Sequence, residues 1–378
     1  MKKEELIQYQ TPFYLYDLDL LSQTLDQAQE HAKKHRYHIH YAMKANTNDR
    51  ILDLIHSKGF GADCVSGNEV KKALETGFKP NQIAFAGVGK SDEEIEIGLE
   101  NDIFTFNCES VQEIEVINEL AEKANKVARI ALRLNPNVDA KTHKYITTGL
   151  EENKFGINSW ELDDLIEKLA TWKNIQLTGL HFHIGSQITS MTPFKNLCIR
   201  VNELNQWFLD RGVRIEHLNL GGGLGIDYQN PTENPIPDFE LFFGVFKQFL
   251  EPRPHQEIHF ELGRSLVANC GSLISKVLYI KNGIKTNFAI LDAGMTELIR
   301  PALYQASHTI ENLTSESNES EFYDVVGPIC ESSDCFGKKI ELKETKRGDY
   351  IKIHSTGAYG EVMTSGYNLR EQNPVVYL

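Results

Sequence analysis

The sequence predicts an α/β protein built as a (β/α)8 barrel, followed by a smaller and mostly β domain. As far as Glu261, short apolar segments of strand character alternate with longer segments of helical periodicity. After Glu261 the long helical segments stop and β-like segments follow one another. The chain has 378 residues, which is enough for one large domain and one smaller domain.

Eight segments before the change of pattern have the composition of strands. They are Tyr37–Lys44, Gly61–Ser66, Ile83–Gly87, Ile103–Phe106, Arg129–Asn135, Leu177–Ile184, Glu216–Gly221 and Glu257–Glu261. Between them, SGNEVKKALETG and SVQEIEVINELAEKANK place apolar residues at helical spacing, and the first has a polar start and a glycine stop. Parallel βα units of this kind close into a barrel of about 250 residues. We therefore expect the barrel over residues 20–261.

Four later segments are typical of strands: SLISKVLYIK, TNFAILDAG, EFYDVVGP and DYIKIHSTGAYG. The N-terminal segment TPFYLYDLD is also β-like, and it either caps the barrel or joins the second sheet. Residues 1–19 and 262–378 are accordingly assigned to the β domain. The stretch ENLTSESNESE is so polar that we expect a mobile loop there.

Charge and composition exclude several classes of partner. The formal net charge of −14 argues against a surface for nucleic acid or anionic membrane. The N-terminal MKKEELIQYQ lacks the apolar core of a secretory signal, and no apolar run could span a bilayer. Six cysteines without a Cys-x-x-Cys pair are typical of free thiols. These observations predict a cytoplasmic protein.

Polar or ionisable residues stand where the barrel strands end, which is the active-site edge of such barrels. These residues are Lys44, Asp63, Arg133, His183, Gly221–Gly223 and Glu261. Lys44 closes an alternating strand, and desolvation there would favour the neutral amine that a Schiff-base nucleophile needs. An ordinary lysine whose ammonium reaches water explains the same position equally well. Six such residues together indicate an active site.

Two further motifs each leave alternatives open. The glycines of LNLGGGLGI would let backbone amides approach a bound phosphate, or they form a tight structural turn. His181 and His183 face the same side of a strand and could ligate the metal of a hydrolase, with Lys44 as a bridging group. No further His and Asp residues at strand ends complete such a coordination shell, so we predict no metal site. Glu261 could pair with a protonated pyridine nitrogen or with Arg264.

Seven motifs occur in an order that resembles a known group of enzymes. They are YAMKAN, HFHIGSQ, GGGLGI, ELGR, DAGMTELIRPALY, CESSDCF and GAY. From Thr11 to nearly the last residue, the chain is similar to the alanine-racemase-fold group of pyridoxal-phosphate (PLP) enzymes, and most closely to its diaminopimelate decarboxylase family. The resemblance implies a PLP-dependent carboxy-lyase that converts meso-2,6-diaminopimelate to L-lysine and CO₂.

The resemblance also implies roles for the residues at the barrel mouth. Lys44 resembles the lysine that bonds to the cofactor aldehyde, and His183 the imidazole that packs on its ring. Glu261 is similar to the partner of the pyridine nitrogen. The expected phosphate and ring contacts are Ser186, Gly223, Gly263 and Arg264, and Asp63, Glu69 and Arg133 match positions near the cofactor.

Beyond the barrel, the resemblance implies the substrate contacts and a partner subunit. Residues similar to substrate contacts are Arg264, Arg300, Tyr304, Glu331 and Tyr359, the last of which also touches the cofactor. Cys330 resembles a proton donor that reaches the site of the partner subunit, which implies a head-to-tail homodimer with two shared sites.

The sequence departs from the family pattern in two ways and leaves other activities open. Leu262 replaces a usual proline, which we expect to loosen the turn, and the chain is shorter than many relatives. A decarboxylase of ornithine, arginine or carboxynorspermidine would use the same chemistry. A racemase, or a PLP-binding protein without catalysis, is more distant.

Overall fold

The structure, a computed structural model, describes residues 7–138, 154–371 and 373–378. It divides into two compact units. The first contains the described residues up to Thr24, Ile226–Pro237 and the chain from Arg264 onward. The second contains Leu25–Gly225 and Asp238–Gly263. None of the described helices has the length and apolar character needed to cross a membrane.

The second unit is the predicted (β/α)8 barrel. In chain order the elements up to its end are β1 (Phe13–Tyr16), α1 (Leu18–Lys34), β2 (Tyr37–Ala42), α2 (Asp49–Ser57), β3 (Gly61–Cys64), α3 (Gly67–Thr76), β4 (Ile83–Phe85), α4 (Asp92–Glu100), β5 (Thr105–Cys108), α5 (Val111–Lys123), β6 (Ala128–Arg133), α6 (Leu162–Leu169), β7 (Ile175–His181), α7 (Thr192–Asp210), β8 (His217–Asn219), α8 (Phe239–Phe249) and β9 (Glu257–Leu262). Strands β2 to β9 form a closed barrel of parallel neighbours, with β9 paired to β2. All eight predicted barrel strands are confirmed, with shifts at their ends.

Local sequence signals set the helix ends between these strands. Ser66 accepts a hydrogen bond from the amide of Glu69 at the start of α3, and Gly77 ends that helix with a φ of 104°. Ser110 caps α5 in the same way by accepting from the amide of Glu113. A side-chain cap satisfies a backbone donor that the helix itself leaves unpaired, and glycine takes the left-handed conformation readily. The polar start and glycine stop read from the sequence are thus confirmed.

Packing on the outside of β9 fixes which side chains of that strand face inward. Phe260 is fully buried, and its ring lies 5.6, 5.1 and 4.8 Å from those of Phe242, Phe243 and Phe246 on α8. Because side chains alternate along a strand, burying Phe260 outside turns its neighbour Glu261 to the barrel interior. The aromatic cluster therefore orients one of the predicted catalytic residues.

The first unit contains an eight-stranded sheet. Its elements after β1 are α9 (Arg264–Val267), β10 (Gly271–Asn282), β11 (Asn287–Leu291), α10 (Arg300–Tyr304), β12 (Ile310–Asn312), β13 (Ser320–Val326), β14 (Cys335–Lys343), β15 (Tyr350–Ile353) and β16 (Val375–Tyr377). The main path runs β12-β15-β10-β11-β13-β14, with β1 beside β10 and β16. The N-terminal strand therefore joins the second sheet, which was one of its two predicted positions. Sequence reasoning missed β14 and β16.

Two expectations for this unit were wrong. The start of ENLTSESNESE is not loop, because Ile310–Asn312 pair with β15. Asn312 and Thr314 are buried, where Asn312 donates to Asp349 Oδ2 (3.0 Å) and Thr314 donates to Asp349 Oδ1 (3.3 Å). These polar side chains bond to one another instead of water, which composition cannot show. The segment DYIKIHSTGAYG is a strand only as far as Ile353, and its GAYG end is a turn.

Candidate active site

Lys44 lies in a short 3-10 turn, Met43–Ala45, directly after strand β2. Its Nζ is 3.4 Å from Oδ2 of Asp63, which follows on the neighbouring strand β3. The lysine side chain is 39% exposed, whereas that of Asp63 is fully buried. Burial, followed by the charge of Glu261, raises the pKa of Asp63 to about 8 against the opposing effect of Lys44. Within the described residues, Oδ1 of Asp63 has no hydrogen-bond partner.

A cavity of about 410 Å³ opens at this end of the barrel, within the size range of small-molecule sites. It is lined by Lys44, Val65, Ala86, Gly87, Val88, Gly89, Arg133, Phe155, His181, His183 and Glu261. Four of these, Lys44, Arg133, His183 and Glu261, are residues that the sequence placed at the site. Strand ends far apart in the chain thus bring their polar side chains to one cavity.

Glu261 is held as a buried anion by three donors on three other strands of the barrel. Its Oε1 accepts from Asn107 Nδ2 (3.0 Å) and Asn219 Nδ2 (2.7 Å), and its Oε2 accepts from His181 Nε2 (2.8 Å). Burial acts to raise the pKa of Glu261, but His181 and then Lys44 hold it well below its ordinary value. A carboxylate offers about four acceptor positions, so one remains for a further donor. Sequence reasoning assigned no role to Asn107 and Asn219, and it considered His181 only as a possible metal ligand.

His183 presents a neutral imidazole at the cavity. Burial, with the charges of Arg133 and Lys44, keeps its pKa well below the ordinary value. Its Nδ1 accepts from the amide of Gly222 at 3.4 Å, so the ring proton sits on Nε2. A flat and uncharged ring is suited to packing against an aromatic cofactor. In the described part of the chain, neither His181 nor His183 belongs to a group of three side chains that could share a metal ion, which removes support from the hydrolase alternative.

The glycine turn after β8 is required by close backbone packing. A Cβ on Gly221 would lie 2.2 Å from Phe182 O, and one on Gly222 would lie 2.0 Å from Glu261 O. Gly223 has a φ of 104°, and its carbonyl accepts from the amide of Ile188 at 2.8 Å, which brings it beside the segment carrying Ser186. The structural turn is therefore real, and it also places bare backbone beside the segment that carries Ser186.

The remaining barrel residues support the cavity wall. Arg133 Nη1 lies 2.6 Å from Oε1 of the buried Glu109, whose Oε2 accepts from the amide of Gly156 at 2.8 Å. The guanidinium also lies 4.8 Å from the ring centroid of Phe155. Glu69 is turned to the backbone of α3's first turn, where it accepts from the amide of Val65 at 2.7 Å. Arg133 thus lines the cavity, and Glu69 holds the strand end beside it.

Gly263 and Leu262 follow Glu261 without a loosened turn. Leu262 is fully buried and is still part of β9, paired with Tyr41 on β2. A Cβ on Gly263 would come within 3.0 Å of Ala42 Cβ and 3.1 Å of Ala45 Cβ. Leu262, which stands where the family usually has proline, therefore continues strand β9. The expectation that it loosens the turn was wrong.

In the first unit, Arg264 and Arg300 converge on Tyr228, a residue that the sequence reasoning missed. Both guanidinium groups donate to the phenol oxygen, at 2.7 and 2.8 Å. Burial would raise the pKa of Tyr228, but the two arginines hold it below its ordinary value. His308 Nε2 lies 3.2 Å from Arg300 Nη1, and burial with Arg300 lowers the pKa of His308 to about 3, so it stays neutral. Tyr228 lies in an irregular segment, GIDYQNP, where no periodicity marks it.

Two predicted substrate contacts belong to the same cluster. The Arg264 guanidinium is 4.8 Å from the centroid of the Tyr359 ring, within cation–π range. Tyr359 has a φ of 56°, a left-handed conformation that is uncommon for non-glycine residues. Tyr304 ends helix α10, which begins with Arg300. Within the described residues no carboxylate forms an ion pair with Arg300, and its Nε has no hydrogen-bond partner.

Cys330 and Glu331 are both exposed on the first unit. The amide of Cys330 donates to Asn368 Oδ1 at 3.2 Å, and Glu331 Oε1 accepts from Tyr367 Oη at 2.8 Å. Leu369, next to these partners, is 96% exposed. The thiol and the carboxylate therefore stand together on a surface that also exposes a large apolar side chain.

The barrel cavity fits PLP. Lys44 offers the amine for the aldehyde, Glu261 keeps one acceptor position for a protonated ring nitrogen, and His183 offers a flat neutral ring. Ser186 and Gly223 are candidates for the phosphate. A buried anion and an amine in one cavity suit the two ends of PLP, because the anion can pair with a protonated ring nitrogen and the amine can bond to the aldehyde.

Comparisons with known proteins agree with this site. Residues 18–268 match the family described as "Pyridoxal-dependent decarboxylase, pyridoxal binding domain". A diaminopimelate decarboxylase of Bacteroides thetaiotaomicron is 58% identical over 96% of this chain and 94% of its own length.

Two solved structures show the same fold along nearly the whole chain. Diaminopimelate decarboxylase from Helicobacter pylori, complexed with L-lysine, has a TM-score of 0.93 and 41% identity, covering 99% of this chain and 93% of its own. The enzyme from M. jannaschii in co-complex with L-lysine has a TM-score of 0.91 and 35% identity, covering 99% and 88%. The chain therefore belongs to the PLP-dependent decarboxylases, in the diaminopimelate decarboxylase family.

Proposed function

We propose that this protein decarboxylates meso-2,6-diaminopimelate to L-lysine and CO₂, the last step of lysine biosynthesis, with PLP as its cofactor. The observation that carries the proposal is the ionised Glu261, held in one cavity with Lys44. The L-lysine in the two solved relatives corresponds to the product of this reaction.

The barrel residues prepare the cofactor site for carbon–carbon bond cleavage. Bound PLP supplies an electron sink for the pair left behind by CO₂. Lys44 would bond to the cofactor aldehyde, and Glu261, whose pKa is low, would keep a proton on the ring nitrogen. His183 would pack against the ring as a neutral imidazole and exclude water there. Ser186, Gly223 and Gly263 complete the contacts, with Asp63 behind the amine.

Arginine and tyrosine side chains of the first unit suit the two amino-acid ends of diaminopimelate. Only one carboxylate of diaminopimelate is released as CO₂, so fixed polar groups must bind the amino-acid end that does not react. Arg300 presents donors to that carboxylate from a buried position, and Glu331 with Tyr304 suits the distal ammonium. Arg264 and Tyr359 contact both substrate and cofactor in this proposal. This assignment disfavours ornithine, which has no distal carboxylate for Arg300.

Cys330 is the proposed proton donor, acting in a head-to-tail homodimer. Its exposed thiol, beside the exposed Glu331 and Leu369, fits a surface that reaches another subunit. In a shared site the thiol would protonate Cα of the substrate held by the partner. We further propose a cytoplasmic location and domain limits of 20–261 for the barrel, with 1–19 and 262–378 for the β domain.

The test is to trap the bond between Lys44 and the cofactor and to measure the reaction in parallel. The purified holoenzyme should be yellow, and borohydride should abolish the visible band and label Lys44 in peptide mapping. Lys44→Ala should lose both the label and CO₂ release from meso-diaminopimelate. Faster CO₂ release from ornithine than from meso-diaminopimelate would overturn the substrate, and label at another lysine would overturn the site.

A further inference from the structure

A second group of side chains lies where the first and last barrel strands pair, at the strand ends opposite the cofactor cavity. In the β2–β9 register, His38 stands directly beside His259. Glu257 precedes His259 by two residues, so both point to the same face of β9. The rings of His38 and His259 have centroids 4.8 Å apart.

Hydrogen bonds behind this group fix the tautomer of His259. His40 is buried, and its Nδ1 lies 3.0 Å from Gln82 O, so this nitrogen carries the proton that the carbonyl accepts. With its single ring proton on Nδ1, His40 has a lone pair on Nε2. His259 Nδ1 lies 2.9 Å from that nitrogen and must donate to it. Nε2 of a neutral His259 therefore also carries a lone pair.

The lone pair on His259 Nε2 lies near an acceptor, the carboxylate of Glu257. His259 is only 4% exposed, and within the described residues its Nε2 has no hydrogen-bond partner. Oε2 of Glu257 lies 3.5 Å from this nitrogen. One ligand atom from each of His38, Glu257 and His259 lies within 4.8 Å of the others. A buried lone pair that faces a carboxylate and a second imidazole becomes favourable when a cation lies between them.

We propose that His38, Glu257 and His259 bind a divalent transition-metal ion, Zn²⁺ foremost, at the seam where the barrel closes. Two imidazoles and one carboxylate form a ligand set that this ion prefers, at about 2.0–2.2 Å for each bond, with water completing the shell. His38 and Glu257 are exposed, so they can move inward to that distance, while His259 is held by His40. Gln82 acts behind them by fixing the tautomer of the metal ligand.

The consequence is structural and separate from decarboxylation. The ion would link β2 to β9, strands that are neighbours in the barrel but lie at opposite ends of its sequence. A cross-link between distant parts of a chain restricts the unfolded state more than one between near neighbours. Metal binding should therefore stabilise the closed barrel.

The experiment measures metal binding and thermal unfolding of the PLP-loaded full chain. Equilibrium dialysis against Zn²⁺ or Ni²⁺, followed by elemental analysis, should give about one ion per chain at this site. Saturation should raise the midpoint of thermal unfolding by several degrees. His38→Gln and Glu257→Gln, both at exposed positions that folding tolerates, should each weaken binding at least about tenfold and abolish the thermal shift.

His56→Gln is the matched control, because His56 is a histidine at the end of α2 outside this group. That variant should bind the ion and gain stability as the wild type does. Ions bound to the cofactor or to the exposed Cys330 would persist in all variants and are thereby subtracted. Equal affinity and equal thermal shift in wild type, His38→Gln and Glu257→Gln would overturn the proposal.

Discussion

His181 Nε2 lies 2.8 Å from Glu261 Oε2, behind the cavity that also contains Lys44. The imidazole and the two asparagine amides on Oε1 stabilise the carboxylate in its charged form. The carboxylate that we propose as the partner of the cofactor nitrogen is therefore kept charged by residues on three other strands, β5, β7 and β8.

Replacing Glu261 by glutamine should lower kcat on the order of 10²–10³-fold, because the ring nitrogen loses its anionic partner. Glutamine keeps the size of the side chain, so the cofactor should remain bound. Stopped assays of CO₂ release, with the visible spectrum recorded in parallel, measure both. A full retention of kcat would contradict the role of the charge.

Replacing His181 by leucine should move the acidic limb of the kcat profile to higher pH. The pKa of Glu261 lies below its ordinary value, so its charge is present across the neutral range and is lost as pH falls through the folded-state value. Without His181 that loss occurs nearer neutrality. A pH profile of kcat in wild type and variant checks this, and an unchanged acidic limb would show that the histidine has no such effect.

Replacing Asp63 by asparagine should remove a pH dependence of stability in the cofactor-free protein. The folded-state pKa of about 8 is raised above the unfolded value, so the stability linked to Asp63 is fully present below the unfolded pKa and is lost as pH rises towards 8. Relative to the wild type, the variant should gain at least about 1.4 kcal/mol between acidic and mildly alkaline pH, the value of one pKa unit. Urea unfolding at several pH values measures the difference. Parallel pH curves would be incompatible with a buried and largely neutral Asp63.

Replacing Arg300 by lysine should raise KM for meso-diaminopimelate by about 10–100-fold, because the ammonium cannot make the paired hydrogen bonds of a guanidinium. Tyr228→Phe should have a smaller effect in the same direction, since it removes the oxygen on which Arg264 and Arg300 converge. Steady-state kinetics separate KM from kcat. If Tyr228→Phe changed only the unfolding midpoint, its contact with the arginines would be structural alone.

Mixing two inactive variants tests the shared active site. Lys44→Ala removes the cofactor bond, and Cys330→Ala removes the proposed proton donor, so each homodimer should be inactive. Subunits exchanged at random in a dimer with shared sites should recover about a quarter of the wild-type activity. Affinity capture through a tag on one variant only confirms exchange, and a mixture that stays inactive after exchange would mean that both residues serve the same subunit.

Strand positions were predictable from the sequence because the barrel strands are short and rich in apolar residues, and several are followed by a polar residue near their ends, as at Lys44. The role of Tyr228 was not predictable, because it lies in an irregular segment and its two arginines are distant in sequence. The burial of Asn312 and Thr314 was missed for a related reason. A polar side chain satisfied by another polar side chain looks, in composition, like one that faces water.

The pairing of β2 with β9 has a consequence for synthesis of the protein. Lys44 leaves the ribosome early, but the strand that carries Glu261 emerges only after all the other barrel strands. A nascent chain therefore cannot assemble the complete pocket before that last strand is translated, and a prematurely terminated chain that lacks it will have the lysine without the acid.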